Sequence, residues 1–366
     1  MKKILHAVSI MNRAGQETFI MNMFREIDRS RFSFDFIVSL DGKGDFDKEI
    51  YQLGGKIFKI KTSDKPKPHI ETLLRAYRLY DFLRKHKEYT IVHFHNYHAY
   101  SALLQVVAAK AAGVRSVIVH SHNSCAPNPR VSKLFRPFLN GLKIHRLACS
   151  DMAAKWLFGS KSGACQIIKN GIDPAIFQYN EADRLKIRKE LSLGDKQVIL
   201  HVGRFNFQKN HKFLLEIFGE LLKHLPNAHL LLVGQGELES EIKNKIADMG
   251  IQGHVSILGI RSDIPALLSA SDLFLFPSLF EGLSVMLVET QANGLPILAT
   301  DNLAHETIYS PNLFTMALEK SSEEWANKAE DLIRNSRRID GVQLATEAGF
   351  NMKMGAKDMS DYYNSL

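Results

Sequence analysis

Only three cysteines and two tryptophans occur in the 366 residues. Cys125, Cys149 and Cys165 are odd in number and lack metal or redox spacing, which excludes a disulfide framework and argues for free thiols in a reducing cytoplasm. No run of about eighteen apolar residues is present, so no helix of this chain is expected to span a bilayer. The opening Met1 to Val8 is too short, and too soon followed by Asn12 and Arg13, for a secretory leader; it reads as a buried strand. Gly-x-Gly-x-x-Gly and Gly-x-x-x-x-Gly-Lys-Ser/Thr are also missing, so neither a nicotinamide enzyme nor a P-loop ATPase is favoured.

The length exceeds what one core usually fills, which predicts two domains. The formal charge is +8, and it is unevenly spread: residues 1–175 hold 28 of the 47 Lys and Arg but only 14 of the 39 Asp and Glu. Lys56, Lys59, Arg78, Arg84, Arg130 and Lys133 belong to this basic half, which suits anionic lipid headgroups or polyphosphates. No aromatic-interleaved basic motif accompanies the charge, so nucleic acid is not the expected partner.

Short apolar runs alternate with helix-period stretches along the first half. Strands are expected at 4–10, 34–40, 57–60, 90–94, 116–120 and 146–149, with helices at 19–27, 70–85 and 99–112. The pattern restarts at Val198 and continues through strands at 228–233, 255–258, 273–276 and 296–300, with helices between them. Such alternation predicts an α/β protein of two doubly wound, Rossmann-like domains facing each other across a cleft, with ligands at the strands' carboxyl ends. The turn-rich Asn170-Gly171-Ile172-Asp173-Pro174 places the boundary between domains 1–172 and 173–350. The last helical stretch, about 351–366, is a candidate to pack back on the first domain.

Chemistry concentrates in the second half. Glu281 and Glu289 flank the start of a helix expected near Ser284, whose free N–H groups suit a diphosphate while the carboxylates suit sugar hydroxyls. Gly203-Arg204 and Lys209 sit in the loop above an earlier strand, where a guanidinium and an ammonium could neutralise a diphosphate leaving group. In the first half, Gly15 opens a strand-to-helix loop in which backbone N–H groups could approach phosphate. His93, His95 and His98, then His120 and His122, gather near strand ends. His at i and i+2 share a strand face, as in zinc hydrolases, but the usual carboxylate between the ligands is missing.

Taken together, these motifs resemble the retaining glycosyltransferases of family 4, which have the GT-B architecture. The resemblance rests on Glu281 to Glu289 followed by Gly294-Leu295-Pro296, on the preceding Ser271 to Ser278, and on Gly203-Arg204 with Lys209. Val233-Gly234-Gln235-Gly236, Leu258-Gly259 and Asn170-Gly171-Ile172-Asp173 with Phe177 extend it over nearly the whole chain. It implies that Arg204 and Lys209 bind the donor diphosphate and Glu289 the ribose, while Glu281 with Gly282, Leu283, Ser284 and Val285 binds the sugar. It further implies that Leu258, Gly259, Ile260 and Arg261 hold the base, that Gly15 lies under the β-phosphate, and that His122 is the active-site histidine, with His120 as its competitor. Where the family has Gly-Gly in the first loop, this chain has Ala14-Gly15.

The implied reaction is transfer of a hexose or N-acetylhexosamine from a nucleotide sugar, uridine-linked first, with retention and without a metal or other cofactor, since cations and helix N-termini stabilise the charge. The expected acceptor is a glycan or a polyprenyl-diphosphate-linked oligosaccharide in capsule or exopolysaccharide assembly, met in the cytoplasm at the inner face of the plasma membrane. Three alternatives carry different signatures. A GT-B sugar-nucleotide epimerase or hydrolase would need further acid/base carboxylates, a non-catalytic sugar-nucleotide-binding subunit would not need these cations and acids intact, and a metallohydrolase would lose activity to a chelator.

Overall fold

The computed structural model describes the chain except residues 14, 61–67, 97, 124–128, 170 and 282, and the side chains of residues 68 and 69. It divides into two compact units, Met1–Gly171 with Met352–Leu366, and Ile172–Asn351. No helix among the described residues is long and apolar enough to cross a membrane.

The first unit runs β1 (Lys2–Val8), α1 (Gly15–Glu26), β2 (Phe32–Val38), α2 (Asp47–Gln52), β3 (Ile57–Lys59), α3 (Pro68–Lys85) and β4 (Ile91–Asn96). It continues through α4 (Ala99–Ala111), β5 (Ser116–Ser121), α5 (Pro129–Gly141), β6 (His145–Ala148), α6 (Asp151–Phe158) and β7 (Gln166–Ile167). The seven strands are parallel in the order β3-β2-β1-β4-β5-β6-β7.

The second unit runs α7 (Glu181–Glu190), β8 (Gln197–Val202), α8 (His211–His224), β9 (Ala228–Val233), α9 (Glu239–Asp248), β10 (Val255–Gly259) and α10 (Ile264–Ala270). It closes with β11 (Leu273–Phe276), α11 (Val285–Asn293), β12 (Ile297–Thr300), β13 (Leu313–Met316), α12 (Ser322–Asn335) and α13 (Gly341–Glu347). Its six parallel strands follow the order β10-β9-β8-β11-β12-β13. The chain ends with α14 (Met352–Ser365), in the first unit.

Parallel strands need both faces covered, and their runs are accordingly mostly apolar, with buried polar residues such as His6, Asp35 and His93 among them. In the first unit Phe19, Ile20 and Phe24 of α1 and Met359 and Tyr363 of α14 cover one face, and Leu79, Leu83, Val106 and Leu157 cover the other. In the second unit Leu214, Phe218 and Trp325 cover one face, and Ile187, Leu267 and Leu287 the other.

β1 begins two residues earlier than its apolar run predicts. Lys2 is drawn in by its N–H bond to Arg31 O at 2.7 Å, and its ammonium reaches Tyr363 O at 2.8 Å. The strand ends at Val8 because Ser9 O instead accepts the N–H groups of Ser39 and Leu40. Strand order reverses between β1 and β4 in the first sheet and between β8 and β11 in the second. Loops diverge at such switch points, which is where open α/β sheets hold ligands.

Candidate active site

In the second unit the loops leaving β8 and β11 meet. Leu279 N–H donates to Gln208 O at 2.8 Å, Gln208 Nε2 to Phe280 O at 3.0 Å, and Asn210 Nδ2 to Pro277 O at 3.1 Å. Asn210 takes the left-handed conformation (φ 54°) between a short 3-10 turn and α8, a conformation asparagine tolerates better than most residues. Glycines in the loop leaving β9 let it press against the loop leaving β8. A Cβ on Gly234 would lie 2.0 Å from Gly203 O, and one on Gly236 would lie 2.3 Å from Phe205 O.

This stapling brings together two residues 72 apart in sequence: Lys209 Nζ lies 2.6 Å from Glu281 Oε1. The lysine stem crosses Gly203, where an added Cβ would meet Cγ, Cδ and Cε at 3.1 Å, and its ammonium stands 4.5 Å from the centre of the Phe276 ring. Glu281 is buried, and its own N–H is held by Asn302 O at 3.0 Å. The family resemblance implies separate ligand roles for these two residues; in the structure they pair with each other.

The expected helix starts at Val285, with Ser284 as N-cap. Ser284 makes no side-chain cap bond, so the first-turn N–H groups have no capping side chain. Leu283 and Ser284 are buried, and Gly282 lies outside the described residues. The helix stops at Gly294 (φ +75°), where a Cβ would strike Ile339 O at 2.0 Å. From its side projects Glu289, half-buried and without a hydrogen-bond partner among the described residues; burial pushes its carboxyl up to about 8.

Arg204 is exposed and pairs with Glu237 at 3.1 Å, an arrangement open to solvent. Glu237, which the motifs did not single out, is held below the usual carboxylate range by its own backbone N–H and by Arg204. Leu258 and Gly259 end β10, where Gly259 O accepts Gly234 N–H at 2.8 Å. Ile260 is 70% exposed. The Arg261 guanidinium is committed to Asp263 at 2.6 and 2.8 Å and to Glu190 at 3.0 Å, leaving the backbone and Ile260 as the surface this segment offers. A larger cavity of this unit, about 830 Å3 beside Arg188, Lys196 and Asp272, contains none of these residues.

In the first unit Gly15 opens α1, and a Cβ there would meet nothing within 4 Å, so open space lies over the loop's glycine. Ala14 lies outside the described residues. The Asp45-Phe46-Asp47 triplet serves its own loop: Asp45 accepts the Arg13 N–H and buried Asp47 accepts the Gly44 N–H, both at 3.0 Å. A cavity of about 650 Å3 opens near the ends of β1, β2 and β4, where Arg75 and neutral polar groups such as Ser39, Asn96 and Gln105 stand among apolar side chains such as Ile37 and Leu79.

The histidines form one cluster, with a member that no motif indicated. His6 of β1 is the register partner of His93 on β4, and His95 is that of His120 on β5, so all gather on one face of the sheet. His93 joins Tyr363 OH (2.7 Å) to His120 (3.2 Å), and His95 joins His6 (2.9 Å) to His122 (2.8 Å). His98 stands apart and caps α4 by accepting Tyr100 N–H. Burial lowers the pKa of all five, His6 and His122 to about 3. These N···N contacts are hydrogen-bond lengths, shorter than the about 3.3 Å that tetrahedral zinc with bonds of about 2.0–2.1 Å imposes on its ligands. His120 is fully buried, whereas His122 is partly exposed.

Comparison with known proteins follows the two units. Residues 13–176 match the model of Glycosyltransferase Family 4, and residues 183–347 match that of Glycosyl transferases group 1. The chain is 32% identical over 378 residues to EpsF of Bacillus subtilis (strain 168), which carries a glycosyltransferase name, covering 99% of this chain and 96% of that one. Over 245 residues, 61% of this chain and 60% of the relative, it is 32% identical to the Escherichia coli UDP-Gal:alpha-D-GlcNAc-diphosphoundecaprenol alpha-1,3-galactosyltransferase. Among solved structures, Anabaena HepE in complex with UDP and glucose superposes with a TM-score of 0.78 at 19% identity over the full length of both chains, a likeness of fold.

Proposed function

The chain belongs to the family 4 glycosyltransferases, with the GT-B fold, and from that premise we propose that it transfers a hexose or N-acetylhexosamine from a uridine-linked nucleotide sugar to a lipid-linked glycan, with retention at the anomeric carbon. The observation that carries this reading is the Lys209–Glu281 pair beside the uncapped start of α11, with the unpartnered Glu289 on the same helix.

In this reading Arg204 and Lys209 turn from their carboxylates to the diphosphate, joined by the free N–H groups of α11. Glu281, released from Lys209, accepts a hydroxyl of the transferred sugar with the backbone of residues 282–285. Glu289 accepts the ribose hydroxyls, and the 258–261 segment offers its backbone and Ile260 to the base. The C1–O bond to the diphosphate breaks while the acceptor oxygen bonds C1 on the same face, and the acceptor's proton passes to the departing diphosphate. Cations and N–H groups supply the charge stabilisation, and no metal or other cofactor is invoked.

The first unit takes the acceptor. Its cavity, where Arg75 and neutral polar groups stand among apolar side chains, suits the hydroxyls and ring faces of a sugar, and the Escherichia coli relative is named for a diphosphoundecaprenol-linked acceptor. Such an acceptor lies at an anionic membrane surface, and α5 presents Leu134 (64% exposed) and Phe138 (62% exposed) with the exposed Arg130 and Lys133 and no acid in the helix, while Arg136 donates inward to Trp156 O. Role in surface-polysaccharide assembly follows from that acceptor class.

Ligand-observed NMR against a panel of nucleotide sugars tests the donor assignment. The intact chain should bind at least one uridine-linked sugar, and Glu289→Ala should abolish the signal. A chain that binds no nucleotide sugar, or a variant that binds as well, ends this reading.

A further inference from the structure

Residues 277–281 leave β11 in neither helix nor strand, so their backbone groups must find partners outside regular structure. Two neighbouring loops supply them. From the loop after β8, Gln208 O accepts Leu279 N–H at 2.8 Å, Gln208 Nε2 donates to Phe280 O at 3.0 Å, and Asn210 Nδ2 donates to Pro277 O at 3.1 Å.

From the loop after β12, Asn302 acts twice. Its Nδ2 donates to Leu279 O at 2.6 Å, and its backbone O accepts Glu281 N–H at 3.0 Å. One asparagine thus holds both ends of Leu279-Phe280-Glu281. It is tied to the sheet in turn, because its own N–H donates at 3.1 Å to the hydroxyl of Thr300, which is fully buried at the end of β12.

The side chain of Glu281 has a different tether, the 2.6 Å contact with Lys209. In the transferase reading above, Lys209 leaves Glu281 for the diphosphate, so that ion pair does not locate the carboxylate once the donor is bound. The bonds from Asn302 and Gln208 go to neutral backbone groups, and they outlast the exchange. A hydrogen bond to a sugar hydroxyl weakens steeply when its length or angle is wrong, so the backbone on which Glu281 stands decides what its carboxylate can hold.

We propose that Asn302 is a positioning residue that holds Glu281 where its carboxylate meets the sugar of the nucleotide donor, so that the loop after β12 takes part in selecting that sugar. This rests on the transferase reading, in which Glu281 binds the transferred sugar. Asn302 itself is exposed, so its replacement should leave the second unit folded.

Calorimetric titration of the full chain with UDP, and with the uridine-linked sugar that binds best in the panel above, separates the two parts of the donor. Asn302→Leu and Asn302→Asp should each weaken binding of the sugar nucleotide about tenfold and leave UDP unchanged, because leucine has no donor and an ionised aspartate only accepts. Asn302→Gln, which keeps an amide N–H, should recover most of the loss. In a Glu281→Gln background Asn302→Leu should have no further effect, since it acts through that carboxylate. Equal losses for UDP and the sugar nucleotide, wild-type binding by Asn302→Asp, or an undiminished effect in the Glu281→Gln background would each overturn this inference alone. A wild-type chain that binds no nucleotide sugar overturns the function proposed above and this inference with it.

Discussion

Glu289 carries the largest pH consequence of any single residue in the donor site. Its folded pKa of about 8, against an ordinary 4.5, means that at neutral pH burial keeps the carboxyl mostly protonated. If the ribose is held by the carboxylate, donor binding releases a proton, and affinity should weaken by up to about tenfold per unit as pH falls below 8. Calorimetry in buffers of different ionisation enthalpy reads this release, and a flat response shared with Glu289→Gln would dismiss it. The Lys209–Glu281 pair makes a stability prediction. Lys209→Met alone strands a buried carboxylate and should cost about 3–5 kcal/mol, whereas Lys209→Met with Glu281→Gln should cost markedly less. Denaturant unfolding of both variants decides it; equal losses would mean that the charges do not interact as the 2.6 Å contact implies.

At the level of elements, strands such as β5, β8 and β9 were legible because a doubly covered strand is a short, mostly apolar run, and α11 because Ser284 and Gly294-Leu295-Pro296 punctuate it. Helix α5 was missed because Pro137 stands inside it, although Val131, Leu134, Phe135, Phe138 and Leu139 keep a helical period. Helix α7 escaped because Ile187 is its one buried residue, and α12 despite its Ser321–Glu324 capping box. The meeting of Lys209 with Glu281, and of His6 with His95, depends on strand order and register, which local sequence does not encode. The unforeseen α5 is also the most testable element. Leu134→Asp with Phe138→Asp should reduce cosedimentation with vesicles containing anionic lipid and leave donor binding and stability nearly unchanged, since both side chains are exposed. Wild-type binding should weaken with added salt. Equal binding to neutral and anionic vesicles would remove the basic residues from the account.

The whole molecule is two units made from a chain that enters the first, completes the second and returns. Tyr363, Met359 and Ala356 of α14 are buried in the first unit's core, and Tyr363 also anchors His93. Deleting residues 352–366 should therefore lower the first unit's melting transition far more than the second's, because removing even one such aromatic side chain costs about 3–5 kcal/mol. Calorimetry resolves the two transitions, and an unshifted first one would show that α14 contributes nothing to that core. The same return path constrains synthesis. At about 5–20 residues per second, the ribosome needs roughly ten to forty seconds to make residues 172–351, and throughout that time the first unit lacks its closing helix. The unit begun first is finished last, so a chain from which residues 1–351 alone have emerged holds an incomplete first unit beside a second that is whole.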